Sequence, residues 1–522
     1  MSKEFNIIGP CFPDKHFMVD IEDKLEQIYQ LIVGGKYFTI NRPRQYGKTT
    51  TLFQLEDRLK EENGYLAISI SLEGIGEEGY RSEKSFIKAL LSQMEKYFLF
   101  SKEDEALKIM KDRDKIDSLN EFDRFITDFI SKLDKKLVLI IDEVDKSSNN
   151  QLFLDFLGLL RNKYLLTLKG RDYTFHSIIL AGVHDVKNLK LKLRSNDDRS
   201  YNSPWNIAVD FKVDLLFNRE EIKNMLIEYS SERKIELDLE EVASEIYYYT
   251  SGHPFLVSKL CKLIDEDILV DKDKGNWEKD DITFALKRLL VDENTNFESL
   301  IKNLENNKEL YRVVYDLIID GKEISYNIHN PIINLGKIYG LFKKRDGKVK
   351  VQNRIYQQLI YNYMISKVET AVDMDGYNYS GQFIEKGQLN FKNILLKFQE
   401  FMKEQYSKKD ETFLERNGRL LFLAFLKPII NGRGFDFKEV QISEEKRLDV
   451  VITYLDQKYI VELKLWRGQQ AHQRGLEQLS DYLERTNLDK GYLVIFDFRK
   501  QSKNWQSETT EVDGKEIFTI HI

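Results

Sequence analysis

Two stretches of this chain carry residue types suited to phosphate chemistry. The first, RLDVVITYLDQKYIVELKLW (447–466), reads as two short apolar strands joined by a polar turn, yet it keeps Asp449, Glu462 and Lys464. Side chains alternate along a strand, so the pairing can be tested on paper. A turn centred on Leu455-Asp456 sets Asp449 opposite Glu462, and one centred on Asp456-Gln457 sets it opposite Lys464. Either register leaves the three charged groups on one face, because the two differ by two residues. The other face receives Val450, Ile452, Tyr454, Val461, Leu463 and Leu465. Two carboxylates so close raise each other's pKa unless a cation lies between them. Mg²⁺ suits that place, since it takes hard oxygen ligands and keeps several waters. Lys464 beside it could position or deprotonate an attacking water, or steady the charge on a pentavalent phosphate. The charges are therefore expected to hold a metal on the exposed face of an otherwise buried hairpin.

The second stretch, FTINRPRQYGKTTTLFQL (38–55), runs from a strand through a loop into a helix. Gly47, Lys48 and Thr49 match the phosphate-loop pattern G-x-x-x-x-G-K-[ST], but Arg42 stands at its first glycine. Gly47 would let the backbone amides curl toward a phosphate, Lys48 would meet the β- and γ-phosphates, and Thr49 would ligate Mg²⁺. Downstream, KKLVLIIDEVDK (135–146) is a buried strand ending in Asp142-Glu143. In P-loop ATPases, which this strand end resembles, an acid at that place holds Mg²⁺ through water and the next glutamate polarises the attacking water.

In this pair of motifs the chain resembles the AAA-like, STAND-related P-loop ATPases, over roughly residues 5–290. The resemblance implies ATP and Mg²⁺ as cofactors. It implies Arg44, Gln45, Gly47, Lys48, Thr49, Thr50 and Asp142 around the nucleotide, with Thr49 and Asp142 on the metal and Glu143 as the catalytic carboxylate. It also sets residues 6–20 near the adenine and gives His184 or Asp185 as a γ-phosphate sensor. SGHPFLV (251–257) is similar to the lid motif, with Pro254 starting a helix and His253 approaching the nucleotide. Arg161 and Arg194 are both candidates for an arginine finger, which stays unassigned.

The hairpin resembles the PD-(D/E)xK nuclease superfamily over about residues 390–505, with Leu448-Asp449 as its first motif and Glu462-Leu463-Lys464 as its second. The helix that follows, RGLEQLSDYLERT (474–486), carries Gln478 and Tyr482 at i and i+4, on one face. They resemble the Q-x-x-x-Y motif of RecB-type members, which implies a place beside the metal and against nucleic acid. Upstream, Glu415 is the choice for a helix-borne metal ligand, with Glu411 one turn away as the alternative.

The elements that must position these residues follow from periodicity. Apolar runs at 36–40, 65–72, 137–142 and 176–182 alternate with amphipathic helices, the mark of a parallel sheet covered by helices. The expected architecture is α/β and multidomain. It has a P-loop NTPase core over 1–215, a helical lid over 216–290 and a winged-helix module over 295–367. A linker over 368–389 and a restriction-endonuclease-like α/β domain over 390–522 complete it. Asn218 is the expected N-cap of the lid's first helix.

At 522 residues the chain can bury several cores, and a charged fraction of 32% beside 42% apolar residues is ordinary for a soluble protein. The net charge of −7 speaks against a wholesale nucleic-acid coat but leaves room for one basic surface. Lys343, Lys344, Arg345, Lys348 and Lys350 around a tight turn are a candidate for phosphate contacts, and residues 186–199 carry a similar excess. Two cysteines, far apart, exclude a disulfide framework and fit a reducing compartment. No secretory leader or membrane-spanning run is evident, so a cytoplasmic location is expected. The first functional expectation is an ATP-driven nuclease acting on DNA. The second is an ATP-dependent signalling or scaffold switch, whose C-terminal domain only binds DNA or protein. Homo-oligomerisation through the ATPase domain and a protein partner are further expectations, and sequence-specific cleavage lacks a recognisable specificity domain.

Overall fold

The computed structural model describes residues 2–522 except 148–149, 184–204, 272–275, 320–321, 372–382, 386–387, 409–410, 432–440, 443–448, 455–456 and 498–504. The chain forms two compact units. One comprises residues 1–303, 328–343 and 352–355, and the other 304–327, 344–351 and 356–522.

In the first unit β1 (Tyr37–Asn41), β2 (Tyr65–Ser71), β3 (Lys136–Asp142) and β4 (Ser177–Gly182) form a parallel sheet in the order β1-β4-β3-β2. These are the apolar runs of the sequence. β3 buries Leu137 through Ile141, and β4 is buried along its whole length. Such continuous burial is what a parallel sheet with covered faces requires. Val209 adds a parallel bridge to Phe38, at the free edge of β1. The flanking helices are α1 (Glu22–Val33), α2 (Lys48–Glu61), α3 (Glu83–Ser101), α4 (Leu119–Ser131) and α5 (Gln151–Thr167). α3 is typical: the Ser82 hydroxyl accepts from the Ser85 amide, and Phe86, Leu90, Met94 and Phe98 recur every four residues on its buried stripe. They join Ile68, Leu139 and Ile178 of the sheet in one core.

A helical segment follows: α6 (Arg219–Arg233) opens it, and Asn218 is its N-cap, as expected. The Asn218 side chain accepts from the Glu221 amide while Glu221 accepts from the Asn218 amide, a reciprocal capping box. Glu221 also pairs with Lys24 of α1 at 2.7 Å, both side chains largely buried. α7 (Leu239–Thr250), α8 (Pro254–Leu263) and α9 (Lys279–Val291) follow. Next come α10 (Thr295–Glu305), α11 (Lys308–Ile318), α12 (Pro331–Ile338), a hairpin of β5 (Phe342–Arg345) and β6 (Lys348–Val351), and α13 (Arg354–Ala371).

In the second unit a short pair, β7 (Ile384–Glu385) and β8 (Gln388–Leu389), precedes α14 (Phe391–Lys408) and α15 (Glu411–Asn431). A six-stranded sheet then runs in the order β13-β14-β12-β11-β10-β9. Its strands are β9 (Gln441–Ile442), β10 (Asp449–Tyr454), β11 (Gln457–Leu465), β12 (Lys490–Phe496), β13 (Ser507–Val512) and β14 (Lys515–His521). β10 and β11 are antiparallel, whereas β11, β12 and β14 are parallel, with α16 (Gln469–Arg485) crossing from β11 to β12. α16 lays Leu476, Leu479 and Leu483 on Ile460, Leu493, Ile495 and Ile517. α14 covers the opposite face, where the Phe391 ring lies 5.4 Å from Tyr459 and 4.7 Å from Tyr492. Among the described residues no helix is long and apolar enough to cross a membrane.

Candidate functional site

The loop after β1 and the carboxylates ending β3 meet at the C-terminal edge of the parallel sheet, where open α/β sheets place ligands. Gly47 has φ +76°, a left-handed conformation, and caps α2, so the helix starts at Lys48. The Lys48 ammonium donates to the carbonyls of Arg42 and Pro43, each at 2.9 Å, and so lies within the curl of the loop. Burial lowers the Lys48 pKa, opposed by Asp142, Asp145 and Glu143. The Thr49 hydroxyl donates to Asp142 Oδ2 at 3.1 Å, although β4 separates their strands. A hydroxyl and a carboxylate in contact, next to a helix N-terminus and an ammonium, are donors of the kind a magnesium nucleotide takes. Glu143 turns off the strand with φ +56°. Burial raises its carboxyl pKa above the ordinary range, and the Asp142 charge adds to the effect.

Arg42 is engaged within the fold. Its guanidinium donates to the Val213 carbonyl at 2.6 Å and lies 5.2 Å over the Phe211 ring, which fastens the loop to the segment beside β1. Arg44 is exposed, and Gln45 donates to the Thr295 hydroxyl at 3.4 Å. The Thr50 hydroxyl accepts from the Cys11 amide at 3.1 Å, which brings the 6–20 segment onto the same helix. Pro254 begins α8 as expected. His253 is fully buried, its ring edge-on to Tyr46 at 4.6 Å, and burial lowers its pKa to about 3, so it stays neutral. His184, Asp185 and Arg194 lie outside the described residues, as does the 186–199 basic run; Arg161 lies on α5.

In the C-terminal hairpin the register is Asp449↔Glu462 through Tyr454↔Gln457, the first of the two alternatives. Residues opposed in this way hold their Cβ atoms about 4.5–5.5 Å apart. Lys464 Nζ is 2.7 Å from Glu462 Oε1 and donates to Gln478 Oε1 at 3.0 Å. A Cβ placed on Gly475 would lie 2.9 Å from that ammonium, so α16 passes directly above it. Tyr482, one turn beyond Gln478, packs on the core under α16. The structure therefore joins Glu462, Lys464 and Gln478 and puts Asp449 opposite Glu462 in register. Glu411 and Glu415 lie on α15 with side chains outside the described set, as is that of Asp449, and Leu448 lies outside the described residues altogether. Among the described residues no three His, Cys, Asp or Glu side chains gather as a metal site. The Glu462 carboxylate beside the Lys464 ammonium, with an aspartate in register across the hairpin, nonetheless offers residue types whose hard oxygens Mg²⁺ accepts.

One expectation is corrected. The Glu462 face is not exposed: Glu462 is 2% exposed, because α16 docks its leucine stripe on the same face. Both faces of β11 are covered.

Residues 9–362 match the family model described as an AAA-like domain, more than half of the chain. The chain belongs to the AAA-like domain family. The C-terminal part of this AAA-like protein, residues 434–507, matches the model of the PD-(D/E)XK nuclease superfamily. An uncharacterised WD repeat-containing protein of Synechocystis is 22% identical over 356 residues, which cover 64% of this chain and 28% of that relative's length. Among solved structures, a Walker-type ATPase of Pyrococcus abyssi is 16% identical with TM-score 0.48, covering 68% of this chain and 99% of that one. The ADP form of the Aeropyrum pernix ORC2 protein is 11% identical with TM-score 0.37, covering 70% and 98%. The RuvB Holliday junction branch migration motor of Thermotoga maritima is 14% identical with TM-score 0.33, covering 66% and 95%.

Two residues of the AAA-like loop escaped the sequence reading. Arg42 registered only as a missing glycine, and Tyr46 not at all. An aromatic residue in an otherwise polar loop was the available signal, and Tyr46 is 5% exposed.

Proposed function

We propose that this AAA-like chain binds and hydrolyses ATP with Mg²⁺, and that its C-terminal domain is a Mg²⁺-dependent phosphodiesterase that cuts DNA, with ATP gating or orienting the cut. The observation that carries the first half is the Thr49–Asp142 contact at 3.1 Å beside the looped Lys48 ammonium. Thr49 and Asp142 would hold the metal, and Gly47, Lys48, Thr50, Arg44 and Gln45 would surround the phosphates. Glu143 would take a proton from the attacking water. The second half is supported by the Asp449↔Glu462 register and by Lys464 held between Glu462 and Gln478. Asp449 and Glu462, with Glu415, would hold Mg²⁺, which when bound supplies charge to the phosphate and lowers the pKa of its water. Lys464 steadies or deprotonates the attacking water, and Gln478 and Tyr482 orient the strand. The water oxygen bonds to phosphorus as one phosphorus–oxygen ester bond breaks.

The 295–367 stretch is proposed as a winged-helix module. Its basic turn is partly committed already, since Lys343 donates to Ser251 at 2.9 Å and Lys348 pairs with Glu323 at 3.4 Å. Lys344 is exposed and remains the best candidate there for a phosphate contact.

A second reading has its own observation. Glu462 is buried and ion-paired under α16, an arrangement that also suits an ATP-dependent switch with a non-cutting C-terminal domain. Plasmid and linear DNA incubated with Mg²⁺ or Mn²⁺, with and without ATP, beside Asp449→Ala, separates the two. Cleavage lost in the variant supports the nuclease, whereas no cleavage under any condition favours the switch.

A further inference from the structure

The phosphate loop touches more than the lid. Tyr46 meets His253 edge-on at 4.6 Å, and its hydroxyl makes a long hydrogen bond, 3.5 Å, to the Gly340 carbonyl. Gly340 joins α12 to β5 with φ +70°. A Cβ there would lie 2.7 Å from Pro43 Cγ and 2.8 Å from the Tyr46 hydroxyl. The entry to β5 thus abuts both sides of the loop at once. The neighbouring contacts run the same way: Lys343 donates to Ser251 at 2.9 Å, and Arg354 lies 4.0 Å over the Tyr248 ring.

We propose that Tyr46 is a positioning residue that holds the phosphate loop against both the 251–254 turn and Gly340, so that nucleotide occupancy of the loop is transmitted to residues 340–343. The inference rests on the ATP-binding reading above. Its logic lies in Lys48. The ammonium now bonds the carbonyls of Arg42 and Pro43. Turning toward a phosphate costs it those bonds, and Pro43 is one of the two residues that abut Gly340. A packed contact of this kind transmits a small shift rather than absorbing it.

The test compares Gly340→Ala with Gly347→Ala in the full chain, using a fluorescent ATP analogue with Mg²⁺. Both positions are left-handed, φ +70° and +74°, so both variants carry similar backbone strain. Only the Gly340 Cβ meets the loop, because a Cβ on Gly347 has nothing within 4 Å. Gly340→Ala is expected to weaken binding about tenfold, within the usual range of coupling between sites, while Gly347→Ala binds as wild type. Equal affinity in the two variants overturns the proposal. If Gly340→Ala fails to fold, Tyr46→Phe and Tyr46→Leu carry the test by hydrogen exchange. Nucleotide should protect the 340–343 amides in wild type, largely in Tyr46→Phe, and not in Tyr46→Leu. Protection that survives in Tyr46→Leu, or never appears in wild type, overturns it. Wild type that binds no nucleotide refutes the ATP reading itself, whereas normal binding without coupling refutes this inference alone.

Discussion

Replacing Lys464 by Met tests whether Glu462 is kept in the hairpin as a charge. The Glu462 side chain is 3% exposed and its cation stands 2.7 Å away. Removing one partner of a buried pair costs about 3–5 kcal/mol, because a charge is left without its counter-ion. Lys464 keeps 22% of its side-chain surface in solvent, which places the cost near the lower end, about 3 kcal/mol. For a domain of ordinary size that is a fall in Tm of about 6–12 °C. A chain of two units need not melt in one step, so the local readout is hydrogen exchange of the β11 amides in the full protein, with calorimetry beside it. The same reasoning fixes the response to metal. If Asp449 and Glu462 hold a cation as proposed, it would replace the missing ammonium, and at a hundred times its Kd it would return about 2.7 kcal/mol. Lys464→Met should therefore be loosened at β11 without Mg²⁺, nearly restored with it, and inactive on DNA throughout. Protection equal to wild type with no response to Mg²⁺ would show that Glu462 carries no charge there, and would refute the argument.

Other outcomes follow from single residues. Glu143→Gln should retain nucleotide but lose turnover. Because burial and Asp142 raise the folded Glu143 pKa, its ionised form destabilises the fold at neutral pH, an effect relieved as pH falls. The Gln variant should thus melt slightly higher than wild type at pH 7, with the difference vanishing toward low pH; a lower melting point at pH 7 counts against it. Arg42→Gly restores the general phosphate-loop pattern yet should weaken ATP binding, since it gives up the Val213 bond and the Phe211 contact, together about 1–2 kcal/mol. Improved binding in a titration would show that the anchor is dispensable. Asn218→Ala should cost about 1 kcal/mol, seen as faster exchange at the start of α6.

Much of this was legible in the chain because its signals are local. Alternation fixed which hairpin residues share a face, and Asn218 at the head of a helical pattern announced a cap. The GKT triplet and the Asp142-Glu143 strand end needed only their order. What could not be read were contacts between distant segments. Arg42 looked like a defect because its anchor is 171 residues away. The stripe Leu476, Leu479 and Leu483 marked a helix, but not which face it would cover, so Glu462 was expected in solvent. Gly340 carried no sign in the sequence that its hydrogen atom is all the phosphate loop leaves room for.

The interleaving of the two units has a consequence for how the protein is made and cut. The chain passes from one unit to the other after Asn303, Asn327, Lys343, Val351 and Ile355. On the ribosome, the first unit lacks its final segments until residue 355 has emerged, by which time part of the second has already been synthesised. No single proteolytic nick or premature stop releases one unit whole while leaving the other intact. A message truncated at residue 303 would yield a fragment with Lys48 and Asp142 but without Gly340, and an internal start beyond residue 304 would yield a C-terminal fragment without its first residues. Truncation series on this protein should accordingly remove segments by internal deletion and religation, not by trimming from either end.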